Sequence, residues 1–311
     1  MIPRILLISD TKRAGGLAAA LRRRGAVVTL ASLAEVRFDT TARHGLRFPG
    51  LGERLPDGVL VRSISAGSFE AITRRLGILH VLGRLGVPVW NTAPAIERCV
   101  DKSMTTFLLK DAGLATPDTF AVEGLDAARA VAQRELKAGP LVLKPLFGAQ
   151  GRGIRLIEKL EDLPGPSEIA DVYYLQRYIH RDGPPFHDFR VLVCDGAAVA
   201  MMRRRNGEWI TNVNRGGVPE LVDPEREAPL AAMAIAAAKA VGADFAGVDI
   251  MPDADGALSL LEVNSMPAWS GLQSVVGVKV ARVIADAFIA HVMAGRRTAE
   301  RPLRLVAPAN S

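Results

Sequence analysis

Two short apolar runs, Gly247-Val248-Asp249-Ile250-Met251 and Leu260-Leu261-Glu262-Val263-Asn264, flank the turn signal Asp253-Ala254-Asp255-Gly256. Asp and Gly tolerate tight turn geometry, so the spacing predicts a β-hairpin. Side chains alternate faces along a strand. Asp249 therefore points away from Val248 and Ile250, while Glu262 and Asn264 point away from Leu261 and Val263. Folding at the turn brings Asp249 opposite Glu262. Two carboxylates and an amide oxygen then share one polar face. Such a donor set suits Mg2+ or Mn2+ shared with substrate phosphates. A surface hairpin with its polar face in water fits the same pattern, and the rest of the chain has to decide.

The chain of 311 residues can bury a large core and has room for roughly two or three domains. A hydrophobic share of 49% with 23% charged residues is that of a globular protein with a polar surface. The net charge of +6 permits an acidic partner such as a nucleotide. Its densest basic runs, Arg22-Arg23-Arg24 and Arg203-Arg204-Arg205, are too short to argue for nucleic acid. Cys99 and Cys194 have no metal or redox spacing and read as reduced residues of a cytoplasmic protein. Ile5–Ile8 is too short for a signal peptide, and no uncharged apolar stretch reaches the roughly 18 residues of a membrane span.

Strands at Ile5–Ile8, Ala26–Leu30, Gly58–Val61 and Val87–Trp90, with helices at Leu17–Arg24 and Phe69–Leu85 between them, predict a parallel α/β layer over residues 1–95. The turn after the first strand is not GxGxxG, so no dinucleotide motif supports it. Ala93–Ala112 reads as one long helix ended by Gly113, and Leu125–Lys137 as the next. Leu141–Lys144 is a strand that runs into Phe147-Gly148-Ala149-Gln150-Gly151-Arg152-Gly153, and Ile154–Ile157 returns. A glycine loop lets backbone N–H groups approach phosphate oxygens, and Lys144 at the strand end can reach the same group. Alone, such a loop is more often a plain turn. Tyr173–Ile179 is a further strand, and Asp188–Cys194 turns at Asp195-Gly196 into Ala197–Arg203. Pro229–Val241 and Val278–Ala294 read as helices, and 295–311 as a loose tail.

The order Asp101-Lys102, Lys144 with its glycine loop, Gln176-Arg177-Tyr178-Ile179, Asp188-Phe189-Arg190, Asn212 to Gly217, Asp249 and Glu262-Val263-Asn264 resembles the ATP-grasp superfamily. Within it the chain is similar to RimK-like α-L-glutamate ligases over about residues 88–292. The stretches Ala95–Lys102 and Lys144–Gly148 look like those of ligases that add glutamate to tetrahydromethanopterin-type cofactors. The resemblance implies a mixed fold: the α/β layer of 1–95, a central and lid subdomain over 96–180, and a metal-binding subdomain over 181–294. Two antiparallel sheets would clamp ATP between them.

Carried over by position, Lys102 and Lys144 would contact phosphates, with Gly148, Gly151 and Gly153 closing over them. Gln176, Arg177, Tyr178 and Ile179 would line the adenine edge, Asp188 would sit near the ribose, and Asn212 near the phosphates. Asp249, Glu262 and Asn264 would bind two Mg2+ or Mn2+ ions. Arg190, Arg203 and Arg215 would stabilise the transferred phosphate or a substrate carboxylate, which guanidinium matches bidentately. Arg177 stands where relatives often carry Glu, and Ile210 where a polar residue is common.

The implied reaction is ADP-forming carboxylate–amine ligation through an acyl phosphate, adding L-glutamate to a carboxylate-bearing acceptor, a small molecule ahead of a protein. No nucleic-acid or membrane partner is expected, and a homo-oligomer is compatible. The competing readings are another amino acid, a ribosomal or carrier protein as acceptor, a small-molecule kinase with the same clamp, and a non-catalytic nucleotide binder. The five histidines show no metal spacing, consistent with chemistry that needs no zinc or nucleophilic side chain.

Overall fold

The computed structural model describes residues 2–9, 11–148, 151–223 and 227–299. It forms two compact units, one up to Trp90 together with the chain from Ala281 onward, the other Asn91–Val280. Ala149 and Gln150 of the glycine loop, and 300–311 of the expected tail, lie outside the described residues.

In the first unit, β1 (Arg4–Ile8), α1 (Thr11–Arg23), β2 (Val27–Ala31), the short pair β3 (Arg37–Phe38) and β4 (Leu46–Arg47), β5 (Gly58–Val61), α2 (Phe69–Arg84) and β6 (Val89–Trp90) follow in order. The sheet is parallel, ordered β2-β1-β5-β6. Ile5–Ile8 and Val59–Val61 are fully buried, as continuous apolar runs in a covered parallel sheet should be. The C-terminal helix, Val280–Ala299, packs here. A Cβ on Gly58 would stand 2.6 Å from Val292 and 2.9 Å from Phe288, so glycine lets the helix approach the strand. The helix thus joins the first unit rather than the unit of the Asp249–Glu262 hairpin, and it carries residues 295–299 that the sequence placed in a tail.

The second unit comprises α3 (Ala93–Val100), α4 (Lys102–Asp111), β7 (Thr119–Glu123), α5 (Leu125–Glu135), β8 (Leu141–Lys144), β9 (Arg155–Ile157), β10 (Val172–Arg177), β11 (Phe186–Cys194), β12 (Ala197–Asn206), β13 (Val218–Leu221), α6 (Ala228–Val241), β14 (Phe245–Pro252), β15 (Leu258–Asn264) and α7 (Ser270–Val275). Two antiparallel sheets result, β7-β10-β8-β9 and β13-β12-β11-β14-β15. Each buries one face under a helix. Ala128, Val131 and Ala132 of α5 pack with Leu141, Leu143, Tyr173 and Leu175. Leu230, Ala234, Ala237 and Val241 of α6 pack with Val191, Val248, Ile250 and Val263. Strand alternation then sends Asp188, Arg190 and Asp249 to the opposite face.

Two local devices set the site. The expected single helix over 93–112 breaks at Asp101, whose backbone is extended. Its carboxylate accepts from Ser103 N at 2.9 Å and Met104 N at 3.2 Å, capping α4 and placing Lys102 at its first turn. Asn91 is fully buried. Its Nδ2 donates to Phe245 O (2.8 Å) and Ser265 O (2.6 Å), while its Oδ1 accepts from Asp244 N (2.7 Å) and Phe245 N (3.0 Å). One side chain thereby ties together the open end of the β14–β15 hairpin.

Candidate active site

Asp249 and Glu262 face each other across β14 and β15, as the hairpin pattern predicts. The register slips by one between Asp249 and Ile250, so Ile250 pairs with Leu260. A bulge of this kind turns two consecutive side chains to one side. Leu261, expected to point away from Glu262, therefore lines the same cleft. Asn264 donates from Nδ2 to Gly247 O at 3.4 Å, so its Oδ1 is the oxygen on offer.

Asp249 is held from β11 and β12. Arg190 Nη2 donates to Oδ2 at 2.7 Å and its Nε to Oδ1, while Arg204 Nη2 reaches Oδ2 at 3.2 Å. Arg204 also takes Asp188 bidentately, with Nε to Oδ1 at 2.7 Å and Nη2 to Oδ2. Asp188, Arg204 and Asp249 are each at most 4% exposed. Burial favours the protonated form of Asp249, but Arg190 and Arg204 outweigh it and hold the carboxyl below its usual range. Burial works against the charge on Arg204, and the Asp188 and Asp249 carboxylates more than offset it. Gly247 makes room for this pairing, since a Cβ there would lie 3.2 Å from the Arg190 stem.

The other wall comes from β8, β10 and α4. Lys144 Nζ donates to Gln176 Oε1 at 2.6 Å. Burial pulls the Lys144 ammonium down to about 8, and the Glu262 charge opposes that. Gln176 is itself fixed through Nε2 to Thr119 Oγ1 (3.1 Å) and the Tyr174 hydroxyl (3.3 Å). Lys102 Nζ donates to Leu146 O (3.0 Å) and Gly148 O (3.1 Å), tying the start of the glycine loop to α4. Burial lowers its pKa too. Gly151, at φ +71°, would place a Cβ 2.7 Å from Asn212 Oδ1, so the loop closes against that segment as only glycine allows.

The two walls border a cleft of about 830 Å3, part of it open to solvent. Of the residues singled out from the sequence, Lys102, Lys144, Gly148, Gly151, Gln176, Arg177, Tyr178, Ile179, Asp188, Asn212, Asp249 and Glu262 line it; Gly153, Arg190, Arg203, Arg215 and Asn264 do not. Arg177 turns its guanidinium to Glu135 and to the carbonyls of Glu135 and Gly139, which leaves its backbone to the cleft. Asp188, expected beside a ribose, has both oxygens on Arg204. Arg203 points to the far side of β12 and pairs with Glu220 (2.9 Å), and Arg215 is exposed in a 3-10 turn. Arg204, Arg181, Trp209 and Met251 line the cleft and were not picked out from the sequence.

The register explains the exchange of Arg203 for Arg204. A plain hairpin turning at Asp195-Gly196 pairs Asp188 with Arg203. A bulge beyond Val193 shifts the partner to Arg204 and flips the faces. Among the described residues no group of three or more His, Cys, Asp or Glu could hold a metal. The oxygens of Asp249, Glu262 and Asn264 suit instead a hard cation that completes its shell from a substrate. Cys99 and Cys194 are unbridged, and burial pushes both thiols up to about 12, so neither is a nucleophile. Among the described residues no helix is long and apolar enough to cross a membrane.

Two antiparallel sheets closing on a lysine-, glycine- and carboxylate-lined cleft define the architecture of an ATP-grasp ligase. A profile of the RimK-like ATP-grasp domain matches residues 99–288, and the chain belongs to this family. It is 34% identical to a tetrahydromethanopterin:α-L-glutamate ligase of Methanococcus maripaludis over 64% of this chain and 68% of that protein. It is 30% identical to the ligase of the same name from Methanosarcina acetivorans, over 74% and 79%. Among solved structures, the ATP-grasp ligase PsnB with its minimal precursor, Mg and ADP superposes at a TM-score of 0.70 and 21% identity, covering 93% of this chain and 98% of that one. The protein is an ATP-dependent, ADP-forming ligase that makes carbon–nitrogen bonds.

Proposed function

We propose that the chain adds L-glutamate to the carboxylate of a small-molecule acceptor of the tetrahydromethanopterin type, through an acyl phosphate. The observation that carries the chemistry is the opposition of Asp249 and Glu262 across the hairpin, beneath a cleft whose other wall presents Lys102 and Lys144. The glutamate and the acceptor class rest on the names of the relatives at 30–34% identity.

In this reading the strap Gln176–Ile179 takes the adenine edge, largely through backbone groups. Lys144, aimed by Gln176, and Lys102 neutralise phosphate oxygens, and the glycine loop folds over them. Asp249, Glu262 and Asn264 would hold two Mg2+ or Mn2+ ions, whose charge offsets that building on the transferred phosphoryl group. Arg204, braced by Asp188, acts with Arg190 to keep Asp249 ionised and in place. An acceptor carboxylate oxygen attacks the γ-phosphorus, and ADP leaves. The glutamate amine then attacks the acyl carbon, phosphate leaves with the bridging oxygen, and the amine proton passes to solvent. The protein's part is positioning and charge neutralisation.

The test is product mass. Purified protein with Mg-ATP, a mixture of amino acids and a panel of carboxylates, including a reduced pterin cofactor and a ribosomal-protein C-terminal peptide, should yield the pterin heavier by one or more glutamate residues. An amide with a different amino acid would overturn the glutamate assignment, and modification of the peptide alone would overturn the acceptor class.

A further inference from the structure

Arg181 follows the strap that the nucleotide reading assigns to the base, and its side chain lies in the wall of the cleft. It is 7% exposed. Nη2 donates to Trp209 O at 2.7 Å and Nη1 to His187 O at 3.3 Å, and the guanidinium lies over the Phe186 ring at 5.2 Å. Its Nε has no hydrogen-bond partner among the described residues. That nitrogen is closed off from the cleft as well, so the guanidinium acts through the two carbonyls it holds.

The carbonyl that Arg181 holds belongs to a flap. Between β12 and β13 the chain passes through Trp209, Ile210 and Asn212, all in the cleft wall. Asn206 Nδ2 pins the flap from its other end, at Ile210 O (2.7 Å) and Arg215 O (3.2 Å). The flap meets Gly151 of the glycine loop, and Trp209 meets Tyr178 of the strap edge-on at 6.0 Å. Arg181 is thus the tie between the strap under the base and the flap above it.

We propose that Arg181 sets the affinity for the base end of the bound nucleotide. Its terminal nitrogens fix the flap as a preformed roof over the base, so it is a positioning residue that acts through the flap. This rests on the reading of the cleft as a nucleotide site. Arg181 is separate from the phosphate and carboxylate groups, so its loss should fall on the nucleoside and leave the phosphate end alone.

Calorimetric titration of the whole protein with Mg-ADP and with Mg-tripolyphosphate tests this. Arg181→Met keeps the stem over Phe186 and should weaken Mg-ADP on the order of tenfold, with tripolyphosphate affinity unchanged. Arg181→Lys should recover part of the loss, and Asn206→Ala, which frees the flap from its other end, should also weaken Mg-ADP with tripolyphosphate unchanged. Mg-ADP affinity within twofold of the parent in a folded Arg181→Met protein would overturn the proposal. So would equal losses for both ligands, which would indicate general damage. Failure of the unsubstituted protein to bind Mg-ADP would overturn the nucleotide reading itself, and this assignment with it.

Discussion

Removing the Arg204 guanidinium would leave the Asp188 and Asp249 carboxylates buried without their shared partner. Breaking a buried ion pair from one side costs about 3–5 kcal/mol, so Arg204→Ala should melt far earlier than the parent and lose turnover. Arg203→Ala loses one exposed pair with Glu220 and should stay within about 0.5 kcal/mol in stability and near the parental rate. Chemical denaturation of the two variants side by side reads the difference; equal effects would contradict the buried network. This contrast marks where the sequence stopped being legible. Alternation along β12 was visible, but the bulge that decides which arginine faces Asp188 leaves no mark in Ala197–Ala200. Lys144 supports a second prediction. Its ammonium lies near 8 because burial disfavours the charge, and a phosphate beside it would raise that value again. Nucleotide binding at about pH 8.5 should therefore take up protons, and at about pH 6.5 it should not, because the lysine is then charged before and after binding. Mg-ADP titrations in two buffers of different ionisation enthalpy measure the uptake, and Lys144→Arg should abolish it. Equal uptake at both pH values would contradict the assignment. The depressed value also means that this lysine's contribution to folding improves as pH rises from about 8 toward the ordinary lysine range.

At the scale of elements, the hairpin, the glycine loop and the helix-capped strands could be read because each has a period or a turn residue that physics requires. The break between α3 and α4 was not read, although Asp101 is a good N-cap, because the apolar period runs on through it. Asp101→Ala should cost about 1 kcal/mol. It should also loosen Lys102 from the loop carbonyls, seen as faster proteolysis of the glycine loop; an unchanged cleavage rate would argue against the tie. β7 and β13 were missed because short strands with mixed polarity earn their place by pairing with a neighbour rather than by their own pattern. The glycine loop carries its own test. Gly151→Ala adds a Cβ 2.7 Å from Asn212 Oδ1 in a left-handed backbone, a strain of about 1–3 kcal/mol. Turnover should fall on the order of tenfold while circular dichroism shows the parental fold. Full activity in that variant would make the loop an ordinary turn.

At the scale of the molecule, the cleft and its supporting sheets belong to one unit, Asn91–Val280, with its own core under α5 and α6. The family was legible because the residues that carry the resemblance follow one another along this unit in the family's order. The acceptor was not legible, since recognition of a particular carboxylate is a matter of surface shape, with no spacing rule to expose it. Within the cleft, Glu262→Ala should abolish turnover, a loss of at least about a hundredfold, with circular dichroism unchanged; near-normal turnover would remove Glu262 from the metal site. The account stands most directly on the activation of an acceptor carboxylate by ATP. With the acceptor identified by product mass and its carboxylate labelled with 18O, the released phosphate should carry one labelled oxygen for each amide formed. Unlabelled phosphate, with the oxygen lost from the acid recovered in AMP or in water, would contradict an acyl phosphate and the ligation mechanism built on it.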